Sequence, residues 1–204
     1  MTAFWQAKKP LLLASASAAR RAVLEAAGLP VEAEPADLDE RAIEASLGDL
    51  PNPPLVAERL ASEKTALVAA RHPDRVVIGA DQVLDLNGRT MSKPVDLEEA
   101  ARQLGELAGH THHLHSAVAI RAPGHHPLLF VARSSLTMRP LTKQAIAAYI
   151  AQVGLAACWT PGGYQVEGLG IHLFDRIEGE HTAILGLPML PVLAALRRFG
   201  CVAP

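Results

Sequence analysis

The fold of this chain depends on the stretch Arg75-Val-Val-Ile-Gly-Ala-Asp-Gln-Val-Leu-Asp-Leu86, whose β-branched and leucine side chains predict one long strand. Asn87-Gly88 follows it, and these residues tolerate the positive φ of a type I′ turn, so the strand is expected to end in a hairpin. Asp81 lies inside the predicted strand, where a charged side chain is costly to bury. Asp81 therefore either serves a ligand or belongs to an exposed edge strand with a solvated carboxylate.

Strand alternation places Asp81 on one face of this stretch, together with Val77 and Gly79. Ala80 and Gln82 fall on the opposite face. Because Gly79 has no side chain, we expect open space beside Asp81, where a ligand or a metal could approach.

Strands and helices interleave along the rest of the chain. The other predicted strands are Leu11–Ala14, Val31–Ala36, Thr111–Arg121, Leu128–Met138 and Ile171–Ile177. The predicted helices are Ala18–Ala27, Pro54–Arg71, Leu97–Leu107, Thr142–Val153 and Leu187–Phe199. The acidic residues 37–41 are expected to form a loop. Because hairpins are frequent in this order, it predicts an α/β fold with mixed sheets and not a purely parallel doubly wound one.

The composition predicts a globular protein without an attraction for polyanions. The chain has 204 residues, of which 50% are hydrophobic, which suits one sizeable domain or two closely joined lobes. Lys and Arg total 19 against 21 Asp and Glu, a net charge of -2, so we expect no nucleic-acid or membrane partner. The two cysteines form no disulfide framework, and the first residues lack the apolar core of a signal peptide, so a cytoplasmic location is expected.

Two serines and an arginine lie where the first predicted strand passes into a helix. Ser15, Ser17 and the backbone N–H groups there converge at the positive end of the helix, an arrangement that suits phosphate. Alternatively, Ser17 only caps the helix. Arg20 shares the apolar helix face of Val23 and Leu24, so its side chain points inward, either to a ligand or along the edge of the core.

Two lysines are further candidates for binding an anion. Lys64 lies on one helical stripe with Leu60 and Leu67, so it either has a buried partner or extends along the edge of the core. Lys93 precedes Pro94, which holds its backbone extended. Lys93 is therefore either an arm that reaches a ligand or an ordinary loop lysine.

Carboxylates and histidines supply candidate metal ligands. Glu40 and Glu167 are the two candidate carboxylates. Glu167 lies in the glycine-rich stretch 163–170, where the backbone can approach a ligand closely. Alternatively, the glycines form only a turn, and Glu167 is solvated. Cations with several carboxylates suit phosphoryl or pyrophosphoryl chemistry with a hard divalent metal. The histidines of His110-Thr-His-His-Leu-His115 could hold zinc, but spacing alone is weak evidence for a metal site. Because the sequence places no third and fourth ligand, solvated strand histidines are favoured.

Motifs along almost the whole chain resemble the Maf family of nucleotide pyrophosphatases. They are Leu13-Ala-Ser-Ala-Ser17 with Arg20, Arg59-Leu-Ala-Ser-Glu-Lys64, Ile78-Gly-Ala-Asp-Gln82, Lys93-Pro94, Glu167-Gly168 and Ile184-Leu-Gly-Leu-Pro188. The resemblance implies a single Maf-like domain over residues 1–204, with two lobes of mixed β-sheets flanked by helices around a central cleft. It also implies a cytoplasmic homodimer.

The family resemblance implies hydrolysis of nucleoside triphosphates to monophosphate and pyrophosphate with a divalent cation, Mg²⁺ or Mn²⁺, in cleansing of the nucleotide pool. The alternative is a nucleotide-binding regulator of septum formation with little catalysis. By position, Asp81 would activate water or hold the metal, and Glu40 would assist at the metal. The remaining implied roles are catalysis for Lys64 and Lys93, and substrate binding for Ser15, Ser17, Arg20, Gln82 and Glu167.

The chain departs from the family pattern Ser-x-Ser-Pro-Arg-Arg, because Ala18 and Ala19 precede Arg20. The proline and the first arginine are absent, so one phosphate contact is expected to be lost. Gln82 and Glu167 resemble the branch of the family that prefers 7-methyl-GTP. Residues 163–166, in contrast, differ from that branch and could indicate another specificity.

Overall fold

The structure is a computed structural model that describes residues 4–48 and 52–203. In these residues the strands are β1 (Leu11–Leu13), β2 (Val31–Ala33), β3 (Val77–Leu86), β4 (Arg89–Met91), β5 (Thr111–Arg121), β6 (Leu128–Met138) and β7 (Phe174–Glu178). The helices are α1 (Ala18–Ala26), α2 (Glu40–Ser46), α3 (Pro53–Arg71), α4 (Leu97–Leu107), α5 (Lys143–Val153), α6 (His181–Ile184) and α7 (Met189–Arg198).

The strands form a mixed sheet in the order β2-β1-β3-β5-β6-β7, with β4 beside β3. β1 pairs in parallel with β2 and with β3, whereas β3 with β4 and β6 with β7 are antiparallel. Asn87 and Gly88, between β3 and β4, have φ angles of 55° and 83°. The predicted mixed α/β fold and the predicted hairpin are therefore confirmed.

The chain divides into two compact units. The first unit contains the described parts of 1–82, 116–132 and 180–204, and the second contains 83–115 and 133–179. The predicted single domain with a central cleft stays a prediction. Among residues 4–48 and 52–203, no helix is long and apolar enough to cross a membrane.

In the first unit, β1 and β3 are covered by helices on both faces. One face packs Leu11 and Ile78 against Leu24 of α1 and Val192 of α7. The opposite face packs Leu12, Ala14 and Val77 against Val68 of α3. The predicted alternation along β3 is thus confirmed, and the face that carries Asp81 is directed toward α3.

Helix α3 packs closely against β3 at Gly79. A Cβ on Gly79 would lie 2.3 Å from Thr65 Oγ1 and 2.8 Å from the Ala61 carbonyl oxygen. The expected open space beside Asp81 is therefore wrong at this position, because the backbone of α3 fills it. The close approach also brings Lys64, the neighbour of Thr65, against Asp81.

The acidic residues 37–41 do not form a loop throughout, so that expectation was partly wrong. Asp39 accepts a hydrogen bond from the Ala42 backbone N–H (3.0 Å) and thereby caps α2, which begins at Glu40. A short acidic side chain before a helix satisfies one of its free N–H groups. The cap places Glu40 in the first turn of α2.

In the second unit, the strand predicted at Ile171–Ile177 begins only at Phe174. Residues Leu169–Leu173 form a 3-10 helix instead. A Cβ on Gly170 would lie 2.3 Å from the Gln165 carbonyl oxygen, so this glycine allows the chain to fold back on itself before β7 begins.

We predict that Gly79→Ala lowers the free energy of unfolding by about 1–3 kcal/mol, because a methyl group there overlaps the backbone of α3. Gly105→Ala is the matched control. Gly105 lies inside α4, and a Cβ at this position would have no neighbouring atom within 4 Å, so alanine there should add up to about 1 kcal/mol of stability. Urea unfolding measures both, and an unchanged Gly79→Ala variant would contradict the close approach of α3.

Candidate active site

The centre of the candidate site is an ammonium group held between two carboxylates. Lys64 Nζ lies 2.6 Å from Asp81 Oδ1 and 2.7 Å from Glu40 Oε1. Asp81 is 7% exposed and Lys64 is 8% exposed, whereas half of the Glu40 side chain remains exposed. Lys64 therefore has the buried partner that its position on an apolar stripe required, and the alternative of a lysine extended along the core edge is wrong.

Three elements of the first unit position these groups. Val56, Leu60 and Val68 anchor α3 on its buried side, and Lys64 lies on that side. β3 carries Asp81 toward α3, and α2 supplies Glu40. A lysine on a buried helix face and an acid inside a strand each need a counter-charge, and here each supplies it for the other.

The charges of the site act on one another over short distances. Burial raises the pKa of Asp81 above its ordinary value, although the positive charges of Lys64 and Arg20 oppose this effect. Burial also raises the pKa of Glu44, one helical turn after Glu40, and the negative charges of Asp81 and Glu40 raise it further. The site therefore favours cations near its carboxylates.

The carboxylates fit the divalent cation that the sequence predicted. Asp81 and Glu40 direct one oxygen each at the same point, where Lys64 Nζ lies. Mg²⁺ is commonly held by one or two carboxylates, with the remaining positions taken by water and substrate phosphates. Within residues 4–48 and 52–203, no cluster of three or more His, Cys, Asp or Glu side chains is placed to hold a metal, so the phosphates would have to complete such a site.

The turn between β1 and α1 places two hydroxyl groups at the start of the helix. Ser17 Oγ accepts a hydrogen bond from the Arg20 backbone N–H (3.3 Å), so Ser17 is the N-cap of α1. Ser15 is buried, and its Oγ accepts from the Ser17 backbone N–H (3.2 Å). The capping role of Ser17 is confirmed, and its predicted role in phosphate binding stays a prediction.

Arg20 points inward, as predicted, and its guanidinium group connects three segments. Nη1 donates to the Ala80 carbonyl (2.7 Å) and to Ser15 Oγ (3.2 Å), and Nε donates to the Gly186 carbonyl (3.0 Å). Burial lowers the pKa of Arg20, against the opposing charges of Asp81 and Glu40. The backbone immediately before Asp81 is thus tied to the β1–α1 turn and to the turn after α6.

Gln82 is fixed by three acceptors on the opposite side of β3. Its Nε2 donates to Ser116 Oγ (2.9 Å), the Ala183 carbonyl (3.1 Å) and the Ile184 carbonyl (3.0 Å). Because carbonyl oxygens only accept, the amide orientation is fixed and Oε1 is the group that remains for a ligand or water. The substrate-binding role of Gln82 stays a prediction.

Gly186 and Ser116 support the site, although neither was assigned a role from the sequence. Ser116 Oγ donates to the Ala183 carbonyl (2.7 Å), and Gly186 has a φ of +89°. A Cβ on Gly186 would lie 3.1 Å from Arg20 Nε, so the glycine makes room for the guanidinium group. The motif Ile184-Leu-Gly-Leu-Pro188 was a signal for Gly186, whereas no sequence signal indicated Ser116.

The remaining two predicted site residues belong to the second unit. Lys93 follows β4 and is exposed, and Glu167 lies in an exposed turn of the glycine-rich stretch. The predicted catalytic role of Lys93 and the predicted substrate-binding role of Glu167 stay predictions. The other seven are all in the first unit: Ser15, Ser17, Arg20, Glu40, Lys64, Asp81 and Gln82.

Two histidines in the first half of β5 pack within the second unit. His112 is buried, its Nε2 lies 2.6 Å from the Tyr164 hydroxyl oxygen, and burial lowers its pKa to about 4. His115 is also buried, with Nε2 3.1 Å from Asp85 Oδ2. The expectation of solvated strand histidines is therefore wrong for these two residues.

The site combines a cation between carboxylates with a strand-turn-helix segment of the kind that binds phosphate, on a mixed α/β fold. The family model described as Maf-like protein matches residues 10–199. This chain belongs to the Maf-like protein family.

Several relatives are similar over nearly their whole length. A protein of Rhodopseudomonas palustris (strain BisB5), named nucleoside triphosphate pyrophosphatase, is 52% identical over 193 residues, which cover 95% of each chain. A protein of the same name from strain HaA2 is 51% identical over 193 residues, with the same coverage. A protein of Rhizobium johnstonii, named 7-methyl-GTP pyrophosphatase, is 48% identical over 193 residues, which cover 94% of this chain and 97% of that one.

We predict a specific pH dependence of stability at Asp81. Because its pKa is raised on folding, the folded chain binds this proton more tightly than the unfolded chain does. The stability that Asp81 contributes is therefore fully present below the unfolded pKa of about 3.9, and it is lost as the pH rises through the folded pKa. Across the pH range above about 4, we expect Asp81→Asn to gain stability relative to wild type as the pH rises.

Urea unfolding of both proteins across this pH range is the measurement. If wild type instead gains stability relative to Asp81→Asn as the pH rises, then Lys64 and Arg20 lower the pKa of Asp81 and outweigh its burial.

We also predict that Arg20→Lys lowers the free energy of unfolding by about 2 kcal/mol, because a lysine cannot reproduce the planar contacts of the guanidinium group with buried carbonyls. Arg21→Lys is the matched control. Arg21 makes an exposed pair with Glu25 (2.7 Å), and its substitution should change stability by less than about 0.5 kcal/mol. Equal losses in both variants, measured by chemical unfolding, would contradict the connecting role of Arg20.

Proposed function

We propose that this chain hydrolyses nucleoside triphosphates to the monophosphate and pyrophosphate. The observation that carries the proposal is the Lys64 ammonium held by Asp81 and Glu40 beside the β1–α1 turn. Relatives that are about half identical over nearly the whole chain are named as pyrophosphatases of nucleoside triphosphates or of 7-methyl-GTP. These names describe enzymes, which favours catalysis over the alternative of a septation regulator.

The proposed reaction cleaves the anhydride bond between the α and β phosphates. Water forms a bond to phosphorus, the bridging P–O bond breaks, and pyrophosphate leaves with the bonding electron pair. Asp81 is the residue proposed to accept the water proton or to orient the attacking water, and its raised pKa brings it closer to the range where a base is useful. Lys64 is proposed to stabilise the charge that develops on the leaving pyrophosphate.

We propose Mg²⁺ or Mn²⁺ as the cofactor, held by Asp81 and Glu40. When bound, such an ion lowers the pKa of water and neutralises phosphate charge. Arg20 holds the Ala80 carbonyl and so fixes the backbone that carries Asp81. Lys93 and Glu167 are proposed to contact the triphosphate and the remainder of the nucleotide, respectively. A cytoplasmic homodimer, implied by the family resemblance, also stays a prediction.

The substrate base is proposed to be a modified or non-standard one, with 7-methyl-GTP as the first candidate. Gln82 and Glu167 resemble that branch, and a relative at 48% identity carries the name 7-methyl-GTP pyrophosphatase. The two alanines before Arg20 remove a cation, so weaker binding of the triphosphate is expected than in members that keep both arginines.

Purified protein should release pyrophosphate and monophosphate from a panel of common nucleoside triphosphates and 7-methyl-GTP, with Mg²⁺ or Mn²⁺ present. We expect Asp81→Asn to lower turnover by at least about 100-fold, because it removes the group that acts on the water. Asp74→Asn is the matched control, because Asp74 is an exposed aspartate paired with Lys9 on the surface. Its turnover should equal that of wild type.

Full activity of Asp81→Asn would remove Asp81 from the reaction. If no nucleotide on the panel is cleaved while nucleotides still raise the melting temperature, the chain binds without hydrolysis. That result would favour the regulator of septum formation.

A further inference from the structure

We propose that Lys64 holds the place of the divalent cation and must leave its carboxylates before the metal can bind. The inference rests on the proposed function, because it concerns the metal held by Asp81 and Glu40. It adds an order of events. The metal binds tightly only when the triphosphate is also bound, because the phosphates draw the Lys64 ammonium away from the two carboxylates.

The two carboxylates of the site converge on a single position. Asp81 Oδ1 and Glu40 Oε1 both contact Lys64 Nζ at hydrogen-bond distance, 2.6 Å and 2.7 Å. Their lone pairs are directed at one point, and a cation bound to both oxygens would have to occupy the volume of the ammonium group. The ammonium and a metal are therefore alternative occupants of one position.

Burial makes repulsion between two cations strong at this position. Asp81 and Lys64 are both buried, so charges here are screened less than they would be at the surface. Two cations a few ångströms apart repel each other strongly in such a medium. Metal binding without displacement of the ammonium is thus disfavoured by charge as well as by volume.

The two cations of the site differ in how firmly they are held. Arg20 is fixed by hydrogen bonds to three different segments, at Ser15, Ala80 and Gly186. The only ion pairs found for Lys64 in the described part of the chain are with the two carboxylates, and its ammonium lies at the end of a flexible four-carbon chain. Arg20 therefore keeps its position in the site, whereas the Lys64 ammonium group can move from the carboxylates to a phosphate.

A coupling between the two ligands follows. A triphosphate offers Lys64 a new anionic partner and offers the metal additional oxygen ligands. Each ligand then increases the affinity of the protein for the other, and the coupling is reciprocal. Metal alone, in contrast, must displace the ammonium without compensation.

The test is Mn²⁺ binding without nucleotide, measured by the loss of the free Mn²⁺ electron paramagnetic resonance signal. We expect Lys64→Met, which keeps the length of the side chain but not its charge, to bind Mn²⁺ at least tenfold more tightly than wild type. Arg71→Met is the matched control. Arg71 is an exposed cation on the same helix, paired with Glu34, and its loss should leave Mn²⁺ affinity unchanged.

A second measurement begins with wild type, so its first result does not depend on how well a variant folds. In wild type, an uncleavable triphosphate analogue with a methylene bridge between the α and β phosphates should raise Mn²⁺ affinity beyond the affinity of the analogue alone for Mn²⁺. In Lys64→Met, this increase should be much smaller, because no ammonium remains to be displaced.

Equal Mn²⁺ affinity of wild type and Lys64→Met overturns the inference, as does an absence of coupling in wild type. Asp81→Asn combined with Lys64→Met should lose the tight binding, and its retention would place the metal elsewhere and also overturn the inference. Hydrolysis by wild type is scored separately by pyrophosphate release. An active enzyme without the Mn²⁺ effect therefore rejects the displacement of Lys64 and leaves the proposed function standing.

Discussion

The rest of the first unit depends on the buried ion pair between Lys64 and Asp81. Removing either charge from water costs several kcal/mol, and only a close partner returns that energy. The pair therefore requires α3 to lie against β3, which is possible because Gly79 presents no side chain to Thr65. Packing and charge thus impose the same geometry.

Around this pair, the side chains that hold the backbone in place are not the side chain that we propose to move. Arg20 and Gln82 use their donors on backbone carbonyls, the former at Ala80 and the turn after α6, the latter at α6 itself. These contacts hold the strand on both sides of Asp81. Among the described residues, the Lys64 ammonium is held by the carboxylates of Asp81 and Glu40, and it is the group whose position we propose that a ligand changes. In such a site the backbone stays in place, whereas the position of one charged side chain changes when a ligand binds.

Much of the fold could be predicted because its signals are local. The Asn87-Gly88 hairpin, the Ser17 cap of α1 and the alternation along β3 each depend on residues close in sequence, and each is confirmed. The predictions that were wrong concern contacts between residues that are far apart in sequence. Whether the space beside Gly79 is open depends on a helix that precedes it in the chain, and the burial of His112 depends on Tyr164, many residues later.

By itself, the sequence determined the order of most strands and helices, the out-of-place charges at Arg20, Lys64 and Asp81, and the family resemblance, because periodicity and motifs depend on residues that are near one another along the chain. Only the tertiary structure decided which charges meet. It paired Lys64 with both carboxylates and gave Arg20 to backbone carbonyls, and it brought Gly186 to the guanidinium group. The physical reason is that partner choice for a buried charge is set by three-dimensional distance and desolvation, and neither quantity is encoded in the spacing of residues along the chain.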